Sequence, residues 1–418
     1  MADPEIATEQ MTDQQREHYR QLLADAQRIQ GVSLWQDAWR RLRRRRASML
    51  SLYFLIALAV LAFLTPALPL QSPLDKDLDN RRGMAPNLQS YRMGQRQDLQ
   101  FTDNSLAAEV ARVNESIATL QAERDSATDP EQREALTAKL EQLNTTAHPF
   151  SQMWNQLDPL AWQLTRLRVA IFGDWAVPSI CGTDDLGRDM LARLFWGARV
   201  SLVVGVVATI VSLVIGVSYG ATSGYFGGRV DSIMMRIVDV LYSVPFIFVV
   251  IFLMTFLSEE SIAASLQSFG IDQITIFYIV IGAIYWLTMS RVVRGQVLSL
   301  KHEQFVDAAR TVGASQQRII FRHLVPNVLG IVIVYLTLTI PAVMLFEAFL
   351  SFLGLGVSPP DVSWGLLVND GVQAITPLKS RWWLVVFPGS ALAGTLFALN
   401  FLGDGLRDAL DPRMKNQS

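Results

Sequence analysis

The 418-residue chain contains one cysteine, Cys181, and four histidines. A single thiol excludes an intrachain disulfide and any cysteine cage for zinc or an iron–sulfur cluster, so Cys181 reads as a plain small residue. The histidines His18, His148, His302 and His323 include no pair at ligand spacing. No Gly-x-x-x-x-Gly-Lys-Ser/Thr loop is present to cradle phosphates, and no His-Glu-x-x-His to hold a catalytic metal. Charge is scarce as well, at 18% against 50% hydrophobic residues, with a mean hydropathy of +0.26. A chain this apolar fits a polytopic membrane protein better than a soluble globule. Any energy source must lie in another chain, and no metal or cofactor is expected in this one.

What is present is organised by apolar runs and by the position of charge. A helix needs about 20 apolar residues to cross about 30 Å of hydrocarbon, because lipid offers its backbone no hydrogen-bond partner. Six runs qualify, near 48–69, 199–223, 237–257, 274–290, 328–350 and 382–403. The fold class expected is therefore all-α, with six transmembrane helices. The first run follows a long polar leader, so it reads as a retained anchor and not as a cleavable signal. The net charge of -2 conceals a segregation of cations. If the N-terminus is cytoplasmic, Arg40, Arg41, Arg43–Arg46, Arg229, Arg236, Arg291, Arg294, Lys301, Arg310, Arg318, Arg322, Arg407, Arg413 and Lys415 all fall inside. Both termini are then cytoplasmic. Arg81, Arg82, Arg166, Arg168 and Arg188 fall outside, most of them in one long segment where the charge rule is weak.

Five divisions follow: a leader with an interfacial helix (1–47), the first span (48–70), an external insertion (71–180), a core with five spans (181–403) and a tail (404–418). In the leader, Leu34, Trp35, Ala38, Trp39 and Leu42 share one helical face, and Ser33 with Gln36 has capping-box spacing. This predicts a helix lying along the inner leaflet, with membrane lipid as its partner. In the insertion, Leu106, Val110, Val113, Ile117 and Leu120 recur at steps of three and four, and Leu136, Leu140 and Leu143 repeat the pattern. Between them Asp129 supplies an N-cap and Pro130 a first helical position, which predicts an antiparallel helical hairpin. Trp154, Leu157, Trp162, Leu164 and Phe172 are candidates to pack it onto the membrane domain or a partner.

Between the fourth and fifth runs lies a polar, basic segment containing Asp307-Ala308-Ala309-Arg310-Thr311-Val312-Gly313 and ending at Val325-Pro326-Asn327. Small Ala308 and Ala309 allow close helix approach, Gly313 permits exit through a positive φ, and Pro326 marks the start of the next helix. A short helix of this kind can sit in a partner's groove and pass on rigid-body motion. Asp184, Asp185, Arg188 and Asp189 precede a membrane helix on its outer side, where they can cap it and hold the loop by ion pairs, or form a gate. Asp239 and Glu347 lie within or at the edges of apolar spans, as cavity-lining acids or as helix-end acids in the interface.

In its residue order the 307–326 segment resembles the cytoplasmic EAA loop of ABC-importer permeases, with Asp307 in place of the usual glutamate. Gly182-Thr183-Asp184-Asp185-Leu186-Gly187-Arg188-Asp189, Gly197-Ala198-Arg199-Val200-Ser201-Leu202, Phe349-Leu350-Ser351-Phe352-Leu353-Gly354-Leu355-Gly356 and Asn400 through Pro412 extend the likeness. With Ser33 through Ala38, these segments resemble the C-type permease subunit of bacterial oligopeptide importers. The resemblance implies the type I importer (MetI-like) permease fold in the bacterial inner membrane. It also implies a homologous permease subunit, two ABC ATPase subunits holding ATP and magnesium, a periplasmic peptide-binding protein, and a peptide as cargo, with no nucleic acid. The docking residues would be Asp307, Ala308, Ala309, Gly313 and Pro326. Residues 71–180 have no assigned counterpart. Alternatives are a dipeptide or nickel permease, a membrane-anchored sensor or scaffold, and a proton-coupled carrier, which would be expected to show internal repeats or interrupted helices with buried acids.

Overall fold

A computed structural model describes residues 34–74, 76–89, 91–92, 106–127, 129–145, 159–173, 175–257, 259–269, 273–357, 361–377 and 379–410. Leader helix α1 (Leu34–Arg44) turns at Arg45 into α2 (Arg46–Phe63). Ala38 and Leu42 are buried with Met49 and Ala409 and pack beside Leu406 and Leu410, and Arg45 pairs with Asp408 at 2.7 Å. Ala38 and Leu42 of the leader helix thus dock on the end of the last helix, while Trp39 stays exposed. Ser33, the expected cap, lies outside the described residues. The first run, expected to reach residue 69, ends as a helix at Phe63, and Pro66 helps form the tight turn Thr65–Ala67 that follows.

The insertion leaves and re-enters through one neck. Strand β1 (Tyr91–Arg92) pairs antiparallel with β2 (Trp175–Ala176), Tyr91 opposite Ala176. Between them, α3 (Leu106–Ser126) and α4 (Pro130–Thr145) form the expected hairpin. Pro130 begins α4 and Asp129 Oδ1 accepts from the Glu131 N–H at 3.2 Å. Leu140 is buried in the seam. Helix α5 (Pro159–Phe172) packs on the Thr65–Ala67 turn. There fully buried Arg168 donates from Nε to the Leu68 carbonyl at 3.1 Å and from Nη2 to that of Trp175 at 3.3 Å. Trp154 and Leu157 lie outside the described residues.

The bundle proper comprises α6 (Met190–Phe226), α7 (Gly228–Ser243), α8 (Phe246–Leu257), the short α9 (Glu260–Ser268) and α10 (Gln273–Leu300). Beyond them come α11 (Gln304–Thr311), α12 (Gln316–Phe352), α13 (Trp364–Ala374) and α14 (Trp383–Leu410). Among the described residues, α2, α6, α10, α12 and α14 are each long and apolar enough to cross a membrane. The run expected to cross over 237–257 is not a straight span: α7 and α8 meet at 82°. Pro245 lacks an N–H and disfavours helical backbone before it, and Val244 is accordingly extended at φ -83° and ψ 126°. At 1.5 Å per residue α8 alone reaches only about 18 Å. Helices also outrun the apolar runs that announced them. The fourth continues to Leu300, the fifth starts at Gln316 and the sixth ends at Leu410. Hydropathy marks where lipid begins, and a helix needs only a satisfied backbone to continue beyond it.

Helices α6 and α10 lie in close contact because Gly216, Gly220 and Gly224 form a stripe of small residues facing α10. A Cβ on Gly216 would stand 2.6 Å from that of Met289, and one on Gly224 2.9 Å from the Arg294 carbonyl. Contacts sort the bundle into two ends. One gathers α1, residues 224–231, 294–324 and the end of α14. The other gathers 65–92, 177–193, α13 and the start of α14.

Candidate functional site

At the first end, α11 is a two-turn helix seated by one apolar side chain. Val306 is fully buried in a cluster with Val293, Val297, Ile319, Ile320 and Leu324, and Ala309 packs against it. Its exit is a Schellman turn. The Ala314 N–H donates to the Ala309 carbonyl at 3.0 Å, the Gly313 N–H donates to that of Arg310 at 2.9 Å, and Gly313 takes φ 80°. Asp307 and Ala308 face solvent, and Asp307 accepts from Arg310 Nη1 at 3.2 Å. Val312, the residue that closes the helix, is 89% exposed. The Arg310 guanidinium lies 5.7 Å from the Tyr225 ring centroid, linking α11 to α6. Pro326 stands in the first turn of the α-helical stretch Val325–Phe352, as expected, but helical backbone reaches back from it through a π turn over Ile319–Leu324 to a cap at Ser315. That turn loosens the ladder where Pro326 has no N–H to give.

At the opposite end the four clustered charges act as caps and clasps. Asp189 Oδ1 accepts from the Ala192 N–H at 2.8 Å as N-cap of α6. Asp184 accepts from the N–H groups of Leu186 and Arg188, both at 2.9 Å, from Arg188 Nε at 2.7 Å and from Arg193 Nη1 at 2.6 Å. Arg193 also reaches Asp370 of α13 at 3.3 Å. Asp185 pairs with Arg381, just before α14. Residues 77–87 close over this loop: the Asp77 N–H donates to the Leu186 carbonyl at 3.0 Å, and the Gly83 N–H donates to that of Asp184 at 2.8 Å. Burial pushes the Asp189 carboxyl up to about 6, against the Ala192 N–H, the Ser179 hydroxyl and the Arg81 charge, which favour its ionised form. Nearby Cys181 is buried, and burial, then the Asp189 charge, push its thiol up to about 12, so it is inert.

The two intramembrane acids separate. Asp239 stands exposed on α7 and accepts from Arg291 Nη2 at 2.7 Å. Glu347 is fully buried and accepts from Ser351 Oγ at 2.8 Å and Ser201 Oγ at 3.2 Å. Neither placement is that of an acid lining a cavity within this chain. Sequence reasoning missed Asp231, whose carboxylate joins Arg294 of α10 and Ser223 of α6. An acid in the first turn of an amphipathic helix was the available signal. Gly216-Val217-Ser218-Tyr219-Gly220 spells the pattern of a nucleophilic serine elbow. That elbow is a strand-to-helix turn, and here the string lies inside uninterrupted α6.

Residues 212–416 match the family described as binding-protein-dependent transport system inner membrane component, and residues 33–89 match the N-terminal TM domain of oligopeptide transport permease C. The second match reaches through residues 71–89, correcting the expectation that the whole of 71–180 lacks a counterpart. The dipeptide transport system permease protein DppC of Bacillus subtilis is 47% identical over 56% of this chain and 68% of its own length. For the oligopeptide transport system permease proteins OppC the values are 48% over 56% and 70% in Haemophilus influenzae, and 47% over 57% and 77% in Escherichia coli K12. Among solved structures, a chain of the inward-facing MetNI methionine ABC transporter superimposes with a TM-score of 0.39 at 17% identity, covering 53% of this chain and 98% of that one. On the strength of the sequence matches, the chain belongs to the binding-protein-dependent transport system inner membrane components, a family of multi-pass permease subunits of ABC importers, and is a transport subunit and not an enzyme.

Proposed function

We propose that this permease forms half of an uptake pathway for oligopeptides, and that residues 301–324 are the surface on which a cytoplasmic ATPase acts. A homologous permease completes the pathway, two ATPase subunits drive it, and an external binding protein delivers the peptide. The observation that carries this reading is α11, a short helix with a buried Val306 root, a solvent-facing Asp307–Ala308 edge and a bare Val312 at its tip. Its orientation is supported by charge, since Arg229, Arg294, Lys301, Arg310, Arg318, Arg322 and Arg407 lie at the same end as the Arg40–Arg46 cluster. That end, with both termini, is assigned to the cytoplasm, and the hairpin insertion to the outside.

ATP-driven closure of the ATPases would push α11 and rock the bundle between inward- and outward-facing states, which requires ATP to bind the two states unequally. The test is uptake of radiolabelled trialanine and dialanine into proteoliposomes holding the complete complex. Val312→Asp is expected to abolish ATP-dependent uptake of either peptide while the permease pair still assembles. Undiminished uptake would remove α11 from the coupling path. Uptake of dialanine alone would shift the cargo assignment to dipeptides, as named for the Bacillus subtilis relative.

A further inference from the structure

Helix α7 is attached to the bundle mainly by polar contacts. Of its 16 residues only Asp231 and Val238 are buried, while Val230, Ile233, Ile237, Val240 and Leu241 are exposed. One buried valine contributes about 2 kcal/mol, too little to orient a helix of this length. The orientation comes instead from Arg294, whose Nε and Nη2 donate to the two carboxylate oxygens of Asp231 at 2.5 and 2.6 Å. Ser223 Oγ adds a third bond to Oδ1 at 2.5 Å. Bidentate geometry fixes direction as well as distance.

Further along α7, Arg291 donates to Asp239 at 2.7 Å and lies 4.5 Å from the Tyr242 ring centroid. The Tyr219 hydroxyl donates to the Met234 carbonyl at 2.8 Å. Every one of these anchors sits on α6 or α10, the two helices locked face to face by the glycine stripe. The same block carries α11, through Val293 and Val297 around Val306, Lys301 Nζ donating to the Gly224 carbonyl at 3.1 Å, and Arg310 near Tyr225.

We propose that the Asp231–Arg294 pair is a positioning tether that makes α7 move as one body with the α11 loop, with the break at Val244–Pro245, beyond which α8 is held by apolar packing, as its hinge. The proposal rests on the coupling-loop reading above and extends it to residues that never touch the ATPase. A push on α11 is delivered to the α6–α10 block, and the tether carries it into α7, which its single buried valine would leave behind.

The test places spin labels at Ile237 on α7 and Ser299 at the end of α10, in the block that carries α11, both exposed, in the complete complex in lipid nanodiscs. Their separation is measured without nucleotide and with ATP trapped by vanadate. In the parent chain one narrow separation is expected in both states. With Asp231→Asn the distribution should broaden and shift with nucleotide, and uptake per ATP should fall roughly tenfold, within the usual range of coupling energies. The exchange Asp231→Arg with Arg294→Asp should restore the narrow separation. Should Asp231→Asn fail to assemble, Arg294→Lys keeps the charge but cannot bridge both oxygens, and the same broadening is expected.

A separation that stays narrow and nucleotide-independent in whichever variant assembles overturns the tether. A third label at Trp382, at the opposite end, keeps the two readings apart. Absence of nucleotide-driven motion between Ser299 and Trp382 in the parent chain sinks the coupling-loop reading and the tether with it. Motion that persists there while the Ile237–Ser299 separation ignores the substitution removes the tether alone.

Discussion

Arg193 and Asp184 form a buried ion pair at 2.6 Å, their side chains 2% and 5% exposed. The carboxylate is the shared acceptor of one turn: it takes two backbone N–H groups as well as Arg188 and Arg193. Removing one partner of such a pair costs more than the pair contributes, because a charge is left desolvated and unpaired. Asp184→Ala should therefore destabilise the permease by about 3–5 kcal/mol. Asp370→Ala, which removes the half-exposed second acceptor of Arg193, should cost about 1 kcal/mol or less. Thermal unfolding of the two variants in detergent, side by side, checks the order.

Asp189 gives the outer end a pH dependence with a definite sign. Its folded pKa, raised to about 6, lies above the ordinary carboxylate value of about 3.9. Between these values the folded state holds the proton more tightly than the unfolded state. The contribution to stability is therefore fully present below about pH 4 and is lost as pH rises through about 6. Asp189→Asn keeps an N-cap acceptor of equal quality and removes the titration. Relative to the parent, the variant should gain about 1.4 kcal/mol per pH unit across that window and then level off. Parallel stability curves from pH 4.5 to 7.5 would show that burial does not set this carboxyl's affinity.

Some of this architecture was legible in the residues alone. The apolar runs named every membrane helix, the three-and-four spacing around Asp129-Pro130 named the hairpin, and Gly313 named the exit from α11. What escaped has two physical origins. Counting apolar residues is blind to backbone chemistry, so Pro245 inside a continuous apolar run concealed the bend, and no apolar count showed the π turn before Pro326. Pairings such as Asp231 with Arg294 or Ser201 with Glu347 join residues whose proximity depends on how whole helices pack, and no local pattern encodes that. The glycine stripe on α6 is the intermediate case. Its four-residue spacing is visible in the chain, but the partner it faces is not.

That stripe separates glycines that pack from glycines that do not. A Cβ on Gly220 would collide with the backbone of Ser290, which cannot yield without moving α10. Gly295, on α10 itself, has nothing within 4 Å of the added atom. Gly220→Ala should cost about 1–3 kcal/mol through overpacking. Gly295→Ala should gain roughly 1 kcal/mol from helix propensity unless a partner chain covers that face. Melting temperatures of the isolated permease and of the assembled complex distinguish these cases. A Gly295→Ala variant stabilised alone but weakened in the complex would locate an interface on α10.

Glu347 organises the loop between α12 and α13 through the serines around it, Ser363 of that loop among them. Its carboxylate accepts from Ser201 Oγ of α6 and Ser351 Oγ of α12, and those oxygens in turn accept from the backbone N–H groups of Trp364 and Val357, each at 3.3 Å. Each serine can serve the loop as an acceptor because its own proton is already committed to the carboxylate. Glu347→Ala frees both hydroxyl protons and opens a void, so both loop bonds should weaken together. Ser201→Ala should release the Trp364 N–H alone, at a cost of about 1–3 kcal/mol for a buried donor left unmet. Hydrogen exchange read at single residues makes the distinction. Faster exchange at Val357 and Trp364 together is expected for Glu347→Ala, and at Trp364 only for Ser201→Ala. If Glu347→Ala leaves the Val357 amide as protected as in the parent, the carboxylate is not what holds this loop.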